Sequence, residues 1–325
     1  MYEDANIVAT NHKTNVLFYR DYIRFQGGHL KVWHYFNHLK NSNSYNPLIC
    51  FSQRSIQDKT NPWCEVDKLS AWSPIGIDTL FLAGLDWQIA LKNDDFNKNK
   101  IKLPVINLIQ GLSHAEPDDV KYQFLSERAI RICVSNQVSE AIQATGRVNG
   151  PIFTIPNGVD LKVSDVPLSI DEKNIDILIV AIKNPELGLA FEQRLTASSQ
   201  SIKLITEPLH RPIFLDLLKS SKICLCLPMM AEGFYLPALE AMALEAIVIC
   251  PDCIGNRSFC IDKYNSFMPS YDQDSLWSAL QTALLLSKKE QKVMLENAIN
   301  TARAHELQHE FRQFLDIMHN IKNLW

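Results

Sequence analysis

Two glutamates lie eight positions apart in the stretch AEGFYLPALEAM, residues 231–242. Pro237 lies between them and suits the first position of a helix, where its missing backbone N–H has no cost. Glu232 would then lie in the loop before the helix, and Glu240 about one turn inside it. An ionised carboxylate only accepts hydrogen bonds, and it can accept two from a vicinal diol. The pair therefore has the chemistry to bind polyhydroxylated groups.

The start of this predicted helix is also a candidate anion site. Helix N-termini carry unpaired N–H groups and a partial positive charge. We expect the amides of Phe234, Tyr235 and Leu236 to hold a phosphate, and Gly233 to let a ligand approach the chain closely. Two diol-binding acids on either side of a phosphate describe a sugar nucleotide. The alternative is that both glutamates only favour the helix start, each by about 0.3–1 kcal/mol through the helix dipole.

Short apolar segments alternate with helical patterns along the whole chain, which is typical of β-α-β units with parallel sheets. Polar, turn-rich sequence near residues 158–174 predicts a linker between two such units. In the first unit, Val32, Phe36 and Leu39 share one face of a helix predicted over Leu30–Leu39. The predicted strands cover residues 15–19, 47–51, 79–83, 105–109, 130–134 and 152–155 before the linker, and 175–181, 202–206, 223–227, 247–250 and 266–268 after it.

The tail from Lys288 to Trp325 contains no glycine or proline. Apolar residues at positions 307, 311, 314, 315, 318 and 321 recur at helical spacing, so a helix is predicted there. Its apolar stripe must pack on other residues, and its length would let it return to the first unit.

Length and charge restrict the classes of protein to consider. A chain of 325 residues favours two core-forming units, and a net charge of −4 makes a duplex nucleic acid an unlikely partner. No apolar run approaches the ~18 residues that span a bilayer, and the first residues are polar and acidic, unlike a secretory signal. We expect a cytoplasmic protein with possible peripheral contact to a membrane.

The eight cysteines include a CxxC spacing at Cys250 and Cys253. A redox or zinc role would need a second ligand pair or a thioredoxin-like context, and only Cys260 lies nearby in sequence. Buried structural thiols are the favoured interpretation.

Several segments resemble the group 1 glycosyltransferases, specifically retaining glycosyltransferase family 4 with its E-x7-E motif and two-Rossmann GT-B architecture. EGFYLPALEAMA, which contains Glu232 and Glu240, matches the family's EGFGLPALEAMA. IPNGVD at 155–160 and CVSNQVSEAI at 133–142 resemble the segments before the interdomain linker, and Gly27-Gly28 looks like the N-terminal glycine-rich turn.

The resemblance implies an α/β fold of two Rossmann-like, doubly wound domains that face a cleft, with the C-terminal helix returning to the first domain. Residues 1–160, with a helix at about 306–325, would form the acceptor domain, and residues 161–305 the donor domain. The first motif glutamate would contact the donor sugar and the second the ribose hydroxyls. Gly27 and Gly28 would approach the diphosphate. No metal or other cofactor is implied, because fixed cations and helix amides can neutralise the leaving group.

The sequence departs from the family pattern at three places. The family usually has an arginine and then Lys-Gly here; in VAIKNPELG, Lys183 can serve as one cation, but Leu187 stands before Gly188 where the lysine belongs. Tyr235 replaces a glycine, and Glu245 stands where a small residue is usual. Arg211, Arg257 or a residue of the first domain such as Arg20 could supply the missing charge.

His114 follows a predicted strand, where ligands of open α/β sheets bind, and the family often has a histidine or aspartate in this loop. We predict that His114 contacts the donor sugar or the acceptor hydroxyl; an ordinary surface histidine is the alternative. We predict Lys183 as a diphosphate partner, against a solvated lysine at a strand end.

The predicted first helix allows two interpretations. Trp33, Tyr35 and Phe36, with Lys31 and Lys40, could face a membrane and a lipid-linked acceptor. A core helix with a few exposed residues is favoured.

The leading hypothesis is a glycosyltransferase that moves a hexose-type sugar from a nucleoside-diphosphate sugar to a hydroxyl of a glycan or lipid-linked saccharide. Two alternatives stay open: a nucleotide-sugar epimerase or hydrolase on the same architecture, and a nucleotide-sugar-binding or scaffold subunit with weakened chemistry. Fold alone does not decide between them.

Overall fold

The computed structural model describes residues 13–160 and 169–325. The predicted linker near residues 158–174 therefore lies partly outside the described residues, at 161–168.

Two parallel sheets organise the chain. The first has seven strands in the order β3-β2-β1-β4-β5-β6-β7, and the second has four in the order β11-β10-β8-β9. The strands of the first sheet are β1 (Thr14–Arg20), β2 (Tyr45–Phe51), β3 (Lys68–Leu69), β4 (Thr79–Ala83), β5 (Val105–Ile109), β6 (Ile130–Cys133) and β7 (Ile152–Thr154). Those of the second are β8 (Ile175–Val180), β9 (Ile202–Ile205), β10 (Ser221–Cys226) and β11 (Ile247–Ile249).

Helices lie in most of the crossover connections that parallel strands need, but the connections from β2 to β3 and from β3 to β4 contain none. Short 3₁₀ helices occur at Gly84–Asp86, Leu112–Ala115 and Phe124–Ser126. The α-helices are α1 (Gly27–Lys40), α2 (Trp87–Leu91), α3 (Asp94–Asn99), α4 (Val120–Gln123), α5 (Asn136–Ala144), α6 (Pro185–Leu195), α7 (Arg211–Lys219), α8 (Leu236–Ala243), α9 (Gln273–Leu284), α10 (Lys288–Ala304), α11 (Leu307–His319) and α12 (Ile321–Leu324).

The central strands are mostly apolar because both faces of each sheet are covered. Every residue of β4 and β5 is buried. The strands pair in parallel, for example Leu80 with Val105 in the first sheet and Leu178 with Lys203 in the second. The carboxyl ends of the strands therefore lie along one edge of each sheet. Loops at that edge carry the candidate site residues, as the sequence predicts for open α/β sheets.

The C-terminal helix returns to the first domain, as predicted. The rings of Tyr35 in α1 and Phe314 in α11 meet edge to face, with 4.7 Å between their centroids. The indole N–H of Trp325 donates to the carbonyl of Ile101 at 2.8 Å. The two-domain α/β fold class predicted from the sequence is therefore confirmed, whereas the domain boundaries themselves stay a prediction.

The tail is less simple than predicted. It forms three helices, and the break between α10 and α11 is fixed by Val159, whose N–H donates to His305 O at 2.8 Å and whose carbonyl accepts from Leu307 N at 3.0 Å. A chain segment next to the linker thus interrupts the tail.

The predicted and observed strands differ at two places. The candidate at 266–268 makes only isolated bridges, Ile249 with Phe267 and Asp262 with Ser266. The two-residue strand β3 was not predicted, because Lys68–Leu69 is too short to show a period.

The cysteines and the lengths of the helices can also be compared with the sequence predictions. All eight cysteines are free, and only Cys64 is not buried, which fits the interpretation as structural thiols. In the described part of the chain, no helix is both long and apolar enough to cross a membrane.

Candidate active site

A cavity of about 540 Å³ lies where the carboxyl-end loops of the two sheets meet. The first domain contributes the loop after β1 with the start of α1, Gln110 after β5, and Asn157 after β7. The second contributes residues 180–185 after β8, 206–211 after β9, and 232–240 after β10. The structure thus brings together all the predicted donor-binding residues: Gly27, Gly28, Lys183, Glu232, Gly233, Phe234, Tyr235, Leu236 and Glu240.

The starts of α1 and α8 lie close together and both line this cavity. A Cβ placed on Gly27 would lie 3.9 Å from the Leu236 side chain. Neither helix has a side-chain cap: the preceding residues, Gln26 and Tyr235, make no capping hydrogen bond. Two uncapped helix starts directed at one cavity favour an anionic ligand there. The Tyr235 amide is already bonded, at 3.4 Å, to the carbonyl of Gly255.

Glu232 lies in the loop before α8. Its Oε1 accepts a hydrogen bond from the Met229 amide at 3.2 Å. Burial raises the pKa of Glu232, while the Met229 amide and the charge of Lys183 act in the opposite direction. The lysine therefore lies close enough to act on this carboxylate.

Glu240 is buried on the inner side of α8 and is held by an arginine. Nη2 of Arg211, the first residue of α7, lies 2.5 Å from Oε1 of Glu240. The guanidinium keeps 27% of its side-chain surface exposed and lines the cavity.

Of the three arginines considered as a replacement cation, only Arg211 lines the cavity. Arg20 is paired with Asp86 at 2.9 Å, and Arg257 with Asp252 at 2.7 Å.

The position of the missing lysine faces the core. Leu187 packs among the apolar residues of the second domain, on one side of the four-stranded sheet. A Cβ on the next residue, Gly188, would lie 2.4 Å from that of Ala181. In this chain the first turn of α6 is thus packing surface, and Lys183, which is exposed just before it, is the cation of this loop.

Gly233 is also required for a reason that the sequence does not predict. A Cβ at this position would lie 2.1 Å from the carbonyl oxygen of Gln110, in the first domain. Its own carbonyl accepts from Ser135 Oγ at 2.8 Å. The glycine therefore permits close contact between the domains, in addition to lining the cavity.

Tyr235, which replaces a glycine of the family motif, points into the second domain. The side chain is buried, and burial raises its pKa well above the usual value, with nearby thiols adding to the effect. The ring is thus part of the core beneath the loop.

His114 lies outside the set of residues that line the cavity. Its ring is buried, and Nδ1 is 3.1 Å from the Gly111 carbonyl oxygen. Burial lowers its pKa to about 4, so the ring is neutral at pH 7. Nε2 has no hydrogen-bond partner among the described residues. Its predicted contact with substrate stays a prediction that this geometry does not support.

Lys31 lines the cavity, although the sequence interpretation placed it on a possible membrane face. The ammonium contacts Glu310 of α11, His34 Nδ1 at 2.9 Å and the Gly158 carbonyl oxygen at 3.2 Å. Burial lowers the pKa of Lys31, and Glu310 opposes the shift. Together with the burial of Tyr35 and Phe36, this confirms the favoured interpretation of α1 as a core helix.

A sequence signal for this cluster existed. Lys31, His34 and His38 recur at helical spacing and therefore form a polar stripe along a helix that also carries an apolar face. Such a stripe indicates a polar partner, here Glu310, whose Oε1 is 3.0 Å from His38 Nε2.

Part of the second domain is similar to a known protein family. Residues 213–301 match the family model described as glycosyl transferases group 1, and this segment contains Glu232 and Glu240. The segment is therefore similar to the group 1 glycosyltransferases. No curated protein matches the chain significantly.

Solved structures extend the likeness to the whole fold. Anabaena HepE in complex with UDP is 11% identical with a TM-score of 0.72, covering 94% of this chain and 100% of that one. Sucrose-phosphate synthase from Thermosynechococcus elongatus is 13% identical with a TM-score of 0.68, covering 96% and 100%. A glycosyltransferase from Rickettsia africae is 13% identical with a TM-score of 0.67, covering 95% and 98%. At these identities the likeness shows the fold, which is the predicted GT-B architecture.

Proposed function

We propose that this protein is a retaining glycosyltransferase that moves a sugar from a nucleoside-diphosphate sugar to a hydroxyl of a glycan or lipid-linked saccharide. One observation carries the proposal: Glu232 and Glu240 line the same cavity as the uncapped starts of α1 and α8. Two carboxylates that flank an anion site match the hydroxyls and diphosphate of a sugar nucleotide.

Solved relatives of the same fold support a nucleotide in this cavity. The HepE structures contain UDP, UDP with glucose, or UDP-glucose. A cavity of about 540 Å³ is within the range that encloses small-molecule ligands.

In the proposed reaction, the diphosphate leaves while positive groups stabilise its developing charge. Lys183, the free donors of Arg211 and the amides at the start of α8 supply that stabilisation, which is why we propose that no metal is required. Glu232 holds hydroxyls of the donor sugar, and Glu240 those of the ribose.

The acceptor hydroxyl attacks from the face that the diphosphate leaves, so the anomeric configuration is retained. Its oxygen forms the new bond to the anomeric carbon as the bond to the phosphate oxygen breaks. The proton released passes to the leaving phosphate, which makes a separate general base unnecessary.

A donor screen tests the proposal. Thermal unfolding is measured with UDP-, GDP-, ADP- and dTDP-sugars, and any binder is then assayed for transfer with and without EDTA. A ligand at a hundred times its Kd stabilises the native state by about 2.7 kcal/mol, so a clear rise in Tm is expected for one donor class.

The outcome also separates the alternatives. No shift with any donor contradicts the proposal. Binding without turnover over an acceptor panel supports a binding or scaffold subunit, and conversion of donor alone supports an epimerase or hydrolase. Loss of activity in EDTA refutes metal independence, and inversion at the anomeric carbon in the product refutes retention.

A further inference from the structure

A short segment of the second domain, residues 250–256, lies against the backbone of the loop that carries Glu232. The amide of Glu232 donates to the carbonyl of Cys253 at 2.9 Å. A Cβ on Gly255 would lie 2.7 Å from the carbonyl oxygen of Glu232 and 2.7 Å from the amide nitrogen of Phe234. The two backbones are therefore in direct contact, and a shift of the 250–256 segment must shift the loop.

Few other contacts fix Glu232. It lies in neither a helix nor a strand, so regular backbone pairing does not set its position. In the part of the chain that the structure describes, its hydrogen bonds are the one to Cys253 and the one that its Oε1 accepts from the Met229 amide. Because Glu232 lines the cavity, its placement there depends on the 250–256 segment.

Asn256 holds the 250–256 segment in shape. Its side chain is fully buried, and Oδ1 accepts from the Cys253 amide at 3.1 Å. Nδ2 donates to the Pro251 carbonyl at 2.9 Å and lies 3.3 Å from Sγ of Cys250. One side chain thus ties together both residues of the CxxC spacing and the proline between them. Asn256 does not line the cavity, so any effect it has on a ligand must pass through other residues.

The segment is strained at Ile254. Its φ of 65° is in the left-handed region, which is unfavourable for a β-branched residue. The Gly255 amide donates back to the Cys253 carbonyl at 2.7 Å, the bond of a γ-turn, whose positive-φ form is rare. The φ of Ile254 sets the direction of the preceding peptide, and the carbonyl of that peptide is the acceptor for Glu232. Such strain persists only where surrounding contacts impose it, and Asn256 supplies such a contact at the Cys253 amide.

We infer that Asn256 is a positioning residue: it holds the strained 250–256 segment, whose Cys253 carbonyl places Glu232 for its contact with the donor sugar. The inference rests on the proposed function, which assigns the sugar to Glu232. It adds a residue that is neither in the E-x7-E motif nor at the cavity. Loss of the Asn256 side chain should therefore weaken binding of the sugar part of the donor more than binding of the nucleoside diphosphate.

Calorimetry separates the contribution of the sugar from that of the nucleotide. The probes are the nucleotide-sugar that gives the largest thermal shift among UDP-, GDP-, ADP- and dTDP-glucose, and the matching nucleoside diphosphate. In Asn256→Ala, the Kd of the nucleotide-sugar should rise about fivefold or more, the change expected for one hydrogen bond. The Kd of the nucleoside diphosphate should stay within twofold, because this probe has no sugar for Glu232 to hold.

Gly255→Ala tests the same contact and keeps every hydrogen-bonding side chain. Its added methyl group would meet the Glu232 carbonyl and the Phe234 amide, so the loop must shift. The nucleotide-sugar should lose about fivefold more affinity than the diphosphate, whose own Kd rises to the extent that the Phe234 amide moves. This variant carries the test if circular dichroism shows that Asn256→Ala does not fold.

Asn265 is a matched control in the same domain. It is also fully buried, and its side chain bonds the backbone of Phe259 and Ile261 and the hydroxyl of Thr301, each at 2.8 Å. Asn265→Ala removes a comparable set of hydrogen bonds, so its thermal midpoint should fall by about as much as that of Asn256→Ala. Both Kd values should nevertheless stay within twofold of the wild type.

A double-mutant cycle shows whether Asn256 acts through Glu232. In a Glu232→Ala background, the further change Asn256→Ala should alter the Kd of the nucleotide-sugar by less than twofold, because the contact that Asn256 supports is already lost. A structural role that does not involve Glu232 would give the same factor in both backgrounds.

Three outcomes would overturn the inference. The first is that the folded variants at 255 and 256 raise both Kd values equally, or neither. The second is an equal effect of these variants with and without the Glu232 carboxylate, and the third is the same selective loss in Asn265→Ala. A wild type that binds none of the probes overturns the proposed function itself, whereas these three outcomes leave it in place, so the two failures are distinguishable.

Discussion

Two ion pairs border the same cavity and differ in what they leave free. The Lys31–Glu310 pair is saturated: both side chains are at most 1% exposed, and the three N–H groups of the ammonium meet Glu310, His34 and Gly158. In the Arg211–Glu240 pair, one nitrogen of a partly exposed guanidinium contacts the carboxylate. Arginine has five N–H donors, so most of them stay available to a ligand.

The comparison shows that charge at a cavity wall is a poor guide to binding. Lys31 has the charge expected of a diphosphate partner, but every donor is used within the protein. Arg211 lies on the opposite domain and combines a fixed position with free donors. We therefore expect the first pair to govern folding and the second to govern nucleotide affinity.

The largest expected effect comes from Glu310→Gln. The change leaves a fully buried ammonium without its counter-ion, so the free energy of unfolding should fall by about 3–5 kcal/mol in urea titrations. The control is Asp171→Asn, which breaks an exposed pair with Lys288 and should cost less than about 1 kcal/mol. Equal effects for the two variants would show that burial does not distinguish these pairs.

Low pH should remove the contribution of the Glu310 carboxylate to the free energy of unfolding. Burial would raise the pKa of Glu310, but the charge of Lys31 and the bond from His38 lower it to about 2. The folded carboxylate thus binds a proton less readily than the unfolded one, whose pKa is near the usual value of 4.5. The stability difference between wild type and Glu310→Gln should be full above pH 4.5 and shrink as the pH falls towards 2. A difference that grows with acid would contradict this assignment.

Mutation of the Arg211–Glu240 pair should change nucleotide affinity. Arg211→Met removes charge-assisted hydrogen bonds to the nucleotide, each worth about 1.5–3 kcal/mol, so the Kd for UDP should rise tenfold or more. Arg257→Met, which alters an arginine outside the cavity, should leave the Kd within twofold. If both variants bind UDP like the wild type, Arg211 is not the replacement cation.

A smaller effect is expected at Lys183. Its ammonium is exposed, so water and salt weaken its attraction to the diphosphate, and Lys183→Met should raise the Kd for UDP about threefold at low ionic strength. The difference from wild type should vanish at high salt. If Lys183→Met loses more affinity for UDP than Arg211→Met does, the proposed ranking of the two cations is reversed.

The sequence was informative where a single local pattern decides the structure. Strands such as Thr79–Ala83 and Val105–Ile109 were predicted at their observed bounds because buried parallel strands are short apolar runs between turns. The family resemblance implied that Glu232, Glu240, Lys183 and the Gly27–Gly28 turn meet at one ligand, and all of them line one cavity.

The remainder depended on contacts between distant segments. The break in the tail is set by Val159, and the need for glycine at 233 by the Gln110 carbonyl of the other domain. The sequence places Lys31 in a polar stripe with His34 and His38, but it does not identify the partner Glu310, which lies 279 positions away. Spacing rules describe one element at a time and carry no information on such pairs.

The central claim is that Glu232 and Glu240 bind hydroxyls on either side of a diphosphate at the start of α8. The most direct test is the initial rate of sugar transfer by Glu232→Gln/Glu240→Gln, with the preferred donor, beside a Glu245→Gln control whose glutamate does not line the cavity. We predict a loss of about a hundredfold or more in the double variant and less than twofold in the control. A double variant that transfers sugar at the wild-type rate would contradict the account.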